Sequence, residues 1–255
     1  MTSNWIVQNN LNKSPTYSKL SETCALLGIQ CFGVEVHAGQ GTLPLDLPNS
    51  PLIAHGATTL VKMAAADPRF QYGVFFDEEN FCHKAYASGF GKAYINANAK
   101  LTSLDEARKM LQKNNNLFIK PPDDLKAFTG FIANESTFEN LIQKRASNLP
   151  ERIVVSPVVE VDAEWRLFVV EGLIVSGSMY LPHGDSHLPG PLLDFARDVI
   201  SKWTPAPVFV LDIGRVDGKW TVVECNCFNW SRFYESNVAR IVESVTSYQM
   251  KHLDI

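Results

Sequence analysis

The stretch that decides the fold runs Val208-Phe209-Val210-Leu211-Asp212-Ile213, turns at Asp217-Gly218, and returns as Trp220-Thr221-Val222-Val223-Glu224-Cys225-Asn226-Cys227. Both arms are rich in β-branched and aromatic residues, and Asp-Gly between such arms is a strong hairpin signal. Residues two apart on a strand share a face, so Glu224 and Asn226 point the same way. A hairpin turning at Asp217-Gly218 brings Asp212 beside them. Two carboxylates and an amide oxygen are hard donors, suited to Mg²⁺ rather than to zinc or copper. The competing reading is a solvated hairpin face with ordinary acidic residues. Against it, the segment from Val222 to Cys227 is otherwise apolar, and a buried unpaired carboxylate is costly.

Working outward, Ile153-Val154-Val155, Trp165 to Val170 and Leu173 to Tyr180 are further strand candidates after Pro150, with Glu171-Gly172 as a second tight turn. A helix from Leu192 to Trp203 interrupts these strands, and another from about Ser236 to Met250 closes the chain. Hairpins with helices imply an antiparallel α+β unit. Upstream, strands at Trp5–Gln8, Cys31–Val36 and from Leu52 alternate with helices Tyr17–Leu27, ended by Gly28, and Thr59–Ala66. That alternation implies a mainly parallel α/β layer over the first hundred residues. Between the two lie a helix capped by Ser103 with Glu106 in capping-box spacing, a strand Leu117–Lys120 stopped by Pro121-Pro122, and a helix Ser136–Ala146 with Ser136 and Glu139 repeating that spacing.

The chain has 255 residues, a net charge of −4 and 45% hydrophobic residues. No global basic field points to nucleic acid, and no run approaches the ~20 apolar residues that span a bilayer. The N-terminus lacks the pattern of a signal peptide, which favours the cytoplasm. Cys225 and Cys227 share a strand face and could form half of a metal site. No partner pair accompanies them and the histidines show no ligand spacing, so buried reduced thiols are the better reading.

Two further groups carry chemistry. Lys120 ends an apolar strand, where its ammonium needs a partner, and a lysine suits phosphate oxygens. Lys126 follows in Leu125-Lys126-Ala127-Phe128-Thr129-Gly130, where surface solvation competes evenly with function. Glu164 and Arg166 share a strand face. Arg166 can fork onto phosphate or carboxylate and Glu164 can accept from ribose hydroxyls, whereas the plain alternative is a weak surface ion pair.

In this order, Phe118-Ile119-Lys120-Pro121, Val154-Val155-Ser156-Pro157-Val158, Glu164-Trp165-Arg166, and Asp212 with Glu224-x-Asn226 resemble the motifs of the ATP-grasp superfamily. The resemblance covers roughly residues 100 to 250 and looks closest to a subgroup found in phages and bacteria. It implies an α+β ATP-grasp domain over 101–255, made of two subdomains with a hinge near 154–160. Residues 1–100 would then form a preATP-grasp-like α/β domain. It also implies ATP and Mg²⁺ as cofactors. Lys120 would contact the adenine side and α-phosphate, and Ser156, Pro157 and Val158 would hydrogen-bond the adenine edge through their backbone. Glu164 would bind ribose, with Glu160 competing for that role. Arg166 would meet phosphate or acyl phosphate, and Asp212, Glu224 and Asn226 would hold Mg²⁺. Lys126 with Thr129-Gly130 would belong to a loop over the phosphates. Two departures stand out: that loop is short and not glycine-rich, and Val210 stands where many relatives carry arginine. More of the phosphate role therefore falls on Arg166 and Lys126.

The expected activity is activation of a carboxylate by ATP for attack by an amine or similar nucleophile. A phosphotransferase on the same fold and a nucleotide-binding module without turnover are the rivals. The expected partners are a small-molecule or peptide carboxylate and an amine acceptor, with neither nucleic acid nor membrane. Gly56 reads either as an acceptor contact or as a tight turn. Trp230, Phe233 and Tyr234 either line an acceptor site or anchor the last helix.

Overall fold

Trp5, Ile6 and Val7 are buried on both faces, as a near-continuous apolar run in a central parallel strand must be. They belong to β1 (Asn4–Gln8), flanked by β2 (Cys31–Val34) and β3 (Leu52–His55) in a parallel sheet of order β2-β1-β3. Parallel neighbours need crossovers, and α1 (Thr16–Leu26) supplies the first. It ends where Gly28 turns to φ +69°, a conformation glycine adopts without steric cost. α2 (Thr58–Ala65) follows β3. The computed structural model describes residues 3–11, 15–37, 39–44, 46–125, 127–145 and 147–253. Lys126 lies outside the described residues. Within them, no helix is long and apolar enough to cross a membrane.

The next helix, α3 (His83–Phe90), does not cover the parallel sheet. Phe81, Tyr86, Phe90 and Tyr94 instead share a core with Trp165, Leu167, Phe209 and Leu211 further along the chain.

β4 (Lys100–Ser103), α4 (Leu104–Lys113), β5 (Leu117–Lys120), β6 (Phe131–Ala133), α5 (Glu135–Arg145) and β7 (Arg152–Ser156) form a second layer, with strand order β4-β7-β5-β6 and antiparallel neighbours. The Ser103 hydroxyl accepts from Glu106 N–H, capping α4. The second helix departs from expectation. Asn134, not Ser136, is its cap: the Asn134 side chain accepts from Thr137 N–H and the Thr137 hydroxyl accepts from Asn134 N–H. Glu139 reaches across to Arg108 instead, at 2.5 Å. β7 also departs. Read with the later strands, it lies between β4 and β5, because Ile153, Val154 and Val155 are buried on both faces.

β8 (Ala163–Val170), β9 (Leu173–Leu181), β10 (Val208–Val216) and β11 (Lys219–Cys227) make an antiparallel sheet of order β11-β10-β8-β9. Both hairpins turn where sequence places them, with φ 48° and 78° at Glu171-Gly172 and 48° and 75° at Asp217-Gly218. Positive φ at both central residues matches the twist of the flanking strands. α6 (Gly190–Lys202) packs on one face, and α7 (Val238–His252) joins the other to the parallel layer through Trp5, Phe168, Phe233, Ile241 and Val245.

Asn229, fully buried just past β11, ties these layers. Its amide donates to Ala54 O at 2.7 Å and Gly73 O at 2.9 Å, and its carbonyl oxygen accepts from Phe75 N–H at 2.8 Å. Gly56 N–H donates to the Asn229 backbone oxygen. A Cβ on Gly56 would stand 2.7 Å from both Gln8 Cβ and Leu60 Cδ2, so close packing explains the glycine. His55, in the same joint, stacks on Phe233, and its Nε2 lies 3.2 Å from Ser231 O. Burial pulls its pKa down to about 4, the Ser231 carbonyl opposing in part. The unfolded chain therefore binds the His55 proton more readily. The resulting stability is fully present above about pH 6.5 and is lost as pH falls toward 4, amounting to about 3 kcal/mol. Urea unfolding at pH 7 and pH 4 should show this loss in the wild type and a loss smaller by that amount in His55→Gln.

Candidate active site

The β10–β11 hairpin pairs Asp212 directly with Glu224. The register then slips, Ile213 facing Val222, so Val223 is an extra residue. Such a bulge re-aims the side chains beside it. Asn226 gathers the cluster, its amide donating to Asp212 Oδ2 at 3.0 Å and Glu224 Oε1 at 3.2 Å. Asp212 and Asn226 are buried, while the Glu224 side chain is 37% exposed.

Lys120 comes from the other sheet. Its Nζ donates to Glu224 Oε2 at 3.3 Å. Burial works against the ammonium, but Glu224 and Tyr94 outweigh it and hold Lys120 above its ordinary range, so it stays a cation. Arg166 faces Asp212 from the neighbouring strand β8, with Nε donating to Oδ1 at 2.9 Å and Nη2 to Oδ2 at 2.6 Å. Sequence left a Glu164–Arg166 surface pair open; the arginine is buried and its carboxylate is Asp212. Its guanidinium lies 5.5 Å and 5.1 Å from the ring centres of Tyr180 and Tyr234, which stack on each other at 4.8 Å. Glu164 accepts from the Tyr180 hydroxyl. Burial raises the Glu164 pKa, the Asp212 and Glu224 charges add to that, and Tyr180 and Arg166 oppose it.

Lys120, Glu164, Tyr180 and Glu224 line one cleft of about 300 Å³, with Phe118 and Phe128 among its apolar walls. Ser156 is buried and its hydroxyl donates to Asn96, another lining residue. Pro157, Val158 and Glu160 are exposed on the connection between β7 and β8. Phe233 is buried in the core, Trp230 packs on Phe76 at 4.8 Å, and Tyr234 stacks beside Arg166.

Sequence reasoning missed several participants. Tyr94 neighbours Lys120 and His83, and its backbone forms an isolated bridge to Val222 of β11. The Asp124 carboxylate accepts from Cys227 N–H and Trp230 Nε1, both at 2.9 Å, strapping the segment after Lys120 to the end of β11. Neither residue stands in a motif. A pair of adjacent acids after two prolines is the only signal for Asp124, and Tyr94 carries none.

The donor types fit Mg²⁺: the Asp212 and Glu224 carboxylates each lie within hydrogen-bond reach of the Asn226 amide, which presents its NH₂ to them here and would turn its oxygen to a cation. Among the described residues, no group of three or more His, Cys, Asp or Glu side chains is placed to hold a metal ion, and no disulfide joins the five cysteines.

Similar architectures occur in solved structures. D-cycloserine synthetase matches with a TM-score of 0.61 and 16% identity over 97% of this chain and 99% of that one. D-alanine–D-alanine ligase from Bacillus anthracis matches with 0.56 and 10% over 100% and 99%. A macrocyclase from Microcystis aeruginosa, bound with its precursor peptide, matches with 0.55 and 10% over 98% and 99%. No curated protein sequence matches the chain. The layers around the cleft are thus the ATP-grasp fold, shared with ATP-dependent ligases. Residues 98–244 match a family described as an ATP-grasp domain, the second family of its clade, and the chain belongs to that family.

Proposed function

We propose that the chain is an ATP- and Mg²⁺-dependent ligase that activates a carboxylate as an acyl phosphate for attack by an amine or similar nucleophile. The observation that carries this reading is Lys120 meeting Glu224 across the cleft, with Asp212 and Asn226 gathered behind. A cation from one sheet and a hard-donor cluster from the other suit a triphosphate between them. Mg²⁺ held by Asp212, Glu224 and Asn226 would neutralise charge on the phosphates. Lys120 would take phosphate oxygens, and Lys126 with Thr129-Gly130 would cover them. Glu164 is our choice over Glu160 for ribose, because Glu164 lines the cleft. Ser156, Pro157 and Val158 remain our adenine-edge candidates. Their stretch is the hinge we assign near 154–160, within the division into 1–100 and 101–255.

In the reaction, a carboxylate oxygen attacks the γ-phosphorus and ADP leaves. The amine nitrogen then attacks the acyl carbon, phosphate leaves and the nitrogen loses a proton. Positioning and charge stabilisation supply most of the rate in such transfers. Small-molecule and peptide substrates both fit this reading, since the similar structures include D-alanine–D-alanine ligase and a peptide-bound macrocyclase. Net charge −4 argues against a nucleic-acid partner, and the setting we propose is cytoplasmic.

Purified protein given ATP, Mg²⁺ and a panel of carboxylic acids and amines should release ADP and phosphate and form an amide. A stable phosphorylated product would make it a phosphotransferase. Mg-ATP binding without turnover across the panel would make it a binding module.

A further inference from the structure

We propose that Arg166 is a positioning residue that holds the Asp212 carboxylate for the metal, and does not contact phosphate; this rests on the ATP and Mg²⁺ reading above. Among the described residues, Arg166, Asp212, Glu224 and Lys120 lie in a row across the site, each facing the next. The two carboxylates face each other on adjacent strands, a destabilising arrangement for like charges. Each meets a cation from a different strand. Arg166 neutralises Asp212 from β8, and Lys120 neutralises Glu224 from β5.

The two cations differ in freedom. Lys120, though as buried as Arg166, lines the cleft and meets a partly exposed carboxylate at one point, with Tyr94 beside it. Arg166 is engaged on edge and face. Nε and Nη2 form a fork onto Asp212, Nη1 donates to Arg232 O at 3.5 Å, and the rings of Tyr180 and Tyr234 stand against the guanidinium. The side chains of Arg166 and Asp212 are 10% and 1% exposed. Swinging Arg166 toward a phosphate would break the fork onto a buried carboxylate, and removing one partner of a buried ion pair is strongly unfavourable. A carboxylate offers about four lone-pair sites; the fork takes two and the Asn226 amide a third, so a metal ion on Asp212 would share the carboxylate with the fork and turn the Asn226 amide aside. Hydrogen-bond partners of this kind orient metal-ligating carboxylates, and their loss typically weakens metal binding about 10–100-fold.

Calorimetry with ATP in EDTA, and Mn²⁺ titration of the ADP complex followed by electron paramagnetic resonance, separate the two roles. Arg166→Gln should bind metal-free ATP within about twofold of wild type but bind Mn²⁺ about 10–100-fold more weakly. Arg166→Lys, which keeps the charge without the fork, should fall between. Asp212→Asn combined with Arg166→Gln should bind Mn²⁺ no more weakly than Asp212→Asn alone. Thermal melts check folding, and if Arg166→Gln does not fold, Arg166→Lys alone decides. Weakened metal-free ATP binding with unchanged Mn²⁺ affinity would overturn the proposal and leave the ATP reading standing. Wild-type protein that binds no nucleotide would overturn both.

Discussion

Glu224→Gln is expected to lower ATP turnover by about three orders of magnitude while the protein stays folded. A bound divalent cation contributes several kcal/mol of transition-state charge stabilisation, and each ~1.4 kcal/mol is tenfold in rate. The amide keeps an acceptor for Lys120 and removes only the charge. Glu224 is more than a third exposed, so the ion pair with Lys120 is partly screened and the stability cost should be about 1–2 kcal/mol. Asp212→Asn should show both losses, because it takes the charge from a fully buried fork with Arg166. Its stability should fall by about 3–5 kcal/mol. ADP release in a coupled assay, read beside urea unfolding, tests the contrast. Turnover of Glu224→Gln within tenfold of wild type would remove the hairpin from the chemistry.

How much of this site was legible in sequence depended on the range of the determining contact. The hairpin was readable because Asp217-Gly218 and the alternation around it are local, and period-two geometry places Glu224 beside Asn226. The strand ending at Lys120 was readable because prolines stop it. What escaped was set by pairing at long sequence separation. β7 looks like the other late strands, and its place beside β4 depends on a neighbour too short and too polar to read, Lys100-Leu101-Thr102-Ser103. The Ser136 cap was misplaced for a local reason, since Asn134 with Thr137 offers the same reciprocal bonding two residues earlier. Arg166 stood out in the sequence as a cation sharing a strand face with Glu164. That its carboxylate is Asp212 depends on β8 lying beside β10, which nothing within either strand announces.

Asn229→Leu is expected to destabilise the protein by about 4 kcal/mol, although residue 229 touches none of the reacting groups proposed here. Leucine keeps the branching and heavy-atom count of asparagine but carries bulkier methyl groups, so the loss combines missing hydrogen bonds with some overpacking at a fully buried position. The change leaves Ala54 O, Gly73 O and Phe75 N–H in a dry joint without their present partner. Gly73 O keeps its bond from Ala54 N–H, and each group left unsatisfied costs about 1–3 kcal/mol. Asn229→Ala should cost less than a simple sum implies if water enters the vacated polar space. The effect should extend to nucleotide binding, because Asn229 follows Asn226 by three residues and fixes the end of β11 to β3 and to the segment around Gly73. With that tether cut, the strand carrying Glu224 and Asn226 is held to the parallel layer less tightly, keeping the Gly56 bond to the residue 229 backbone oxygen and the His55 contact with Ser231 O, beside the Asp124 strap to Cys227 and Trp230. Urea unfolding gives the first quantity and Mn²⁺ affinity of the ADP complex the second. A stability loss below about 1 kcal/mol would mean that apolar packing among Trp5, Phe168, Phe228 and Phe233 holds the layers together without the amide.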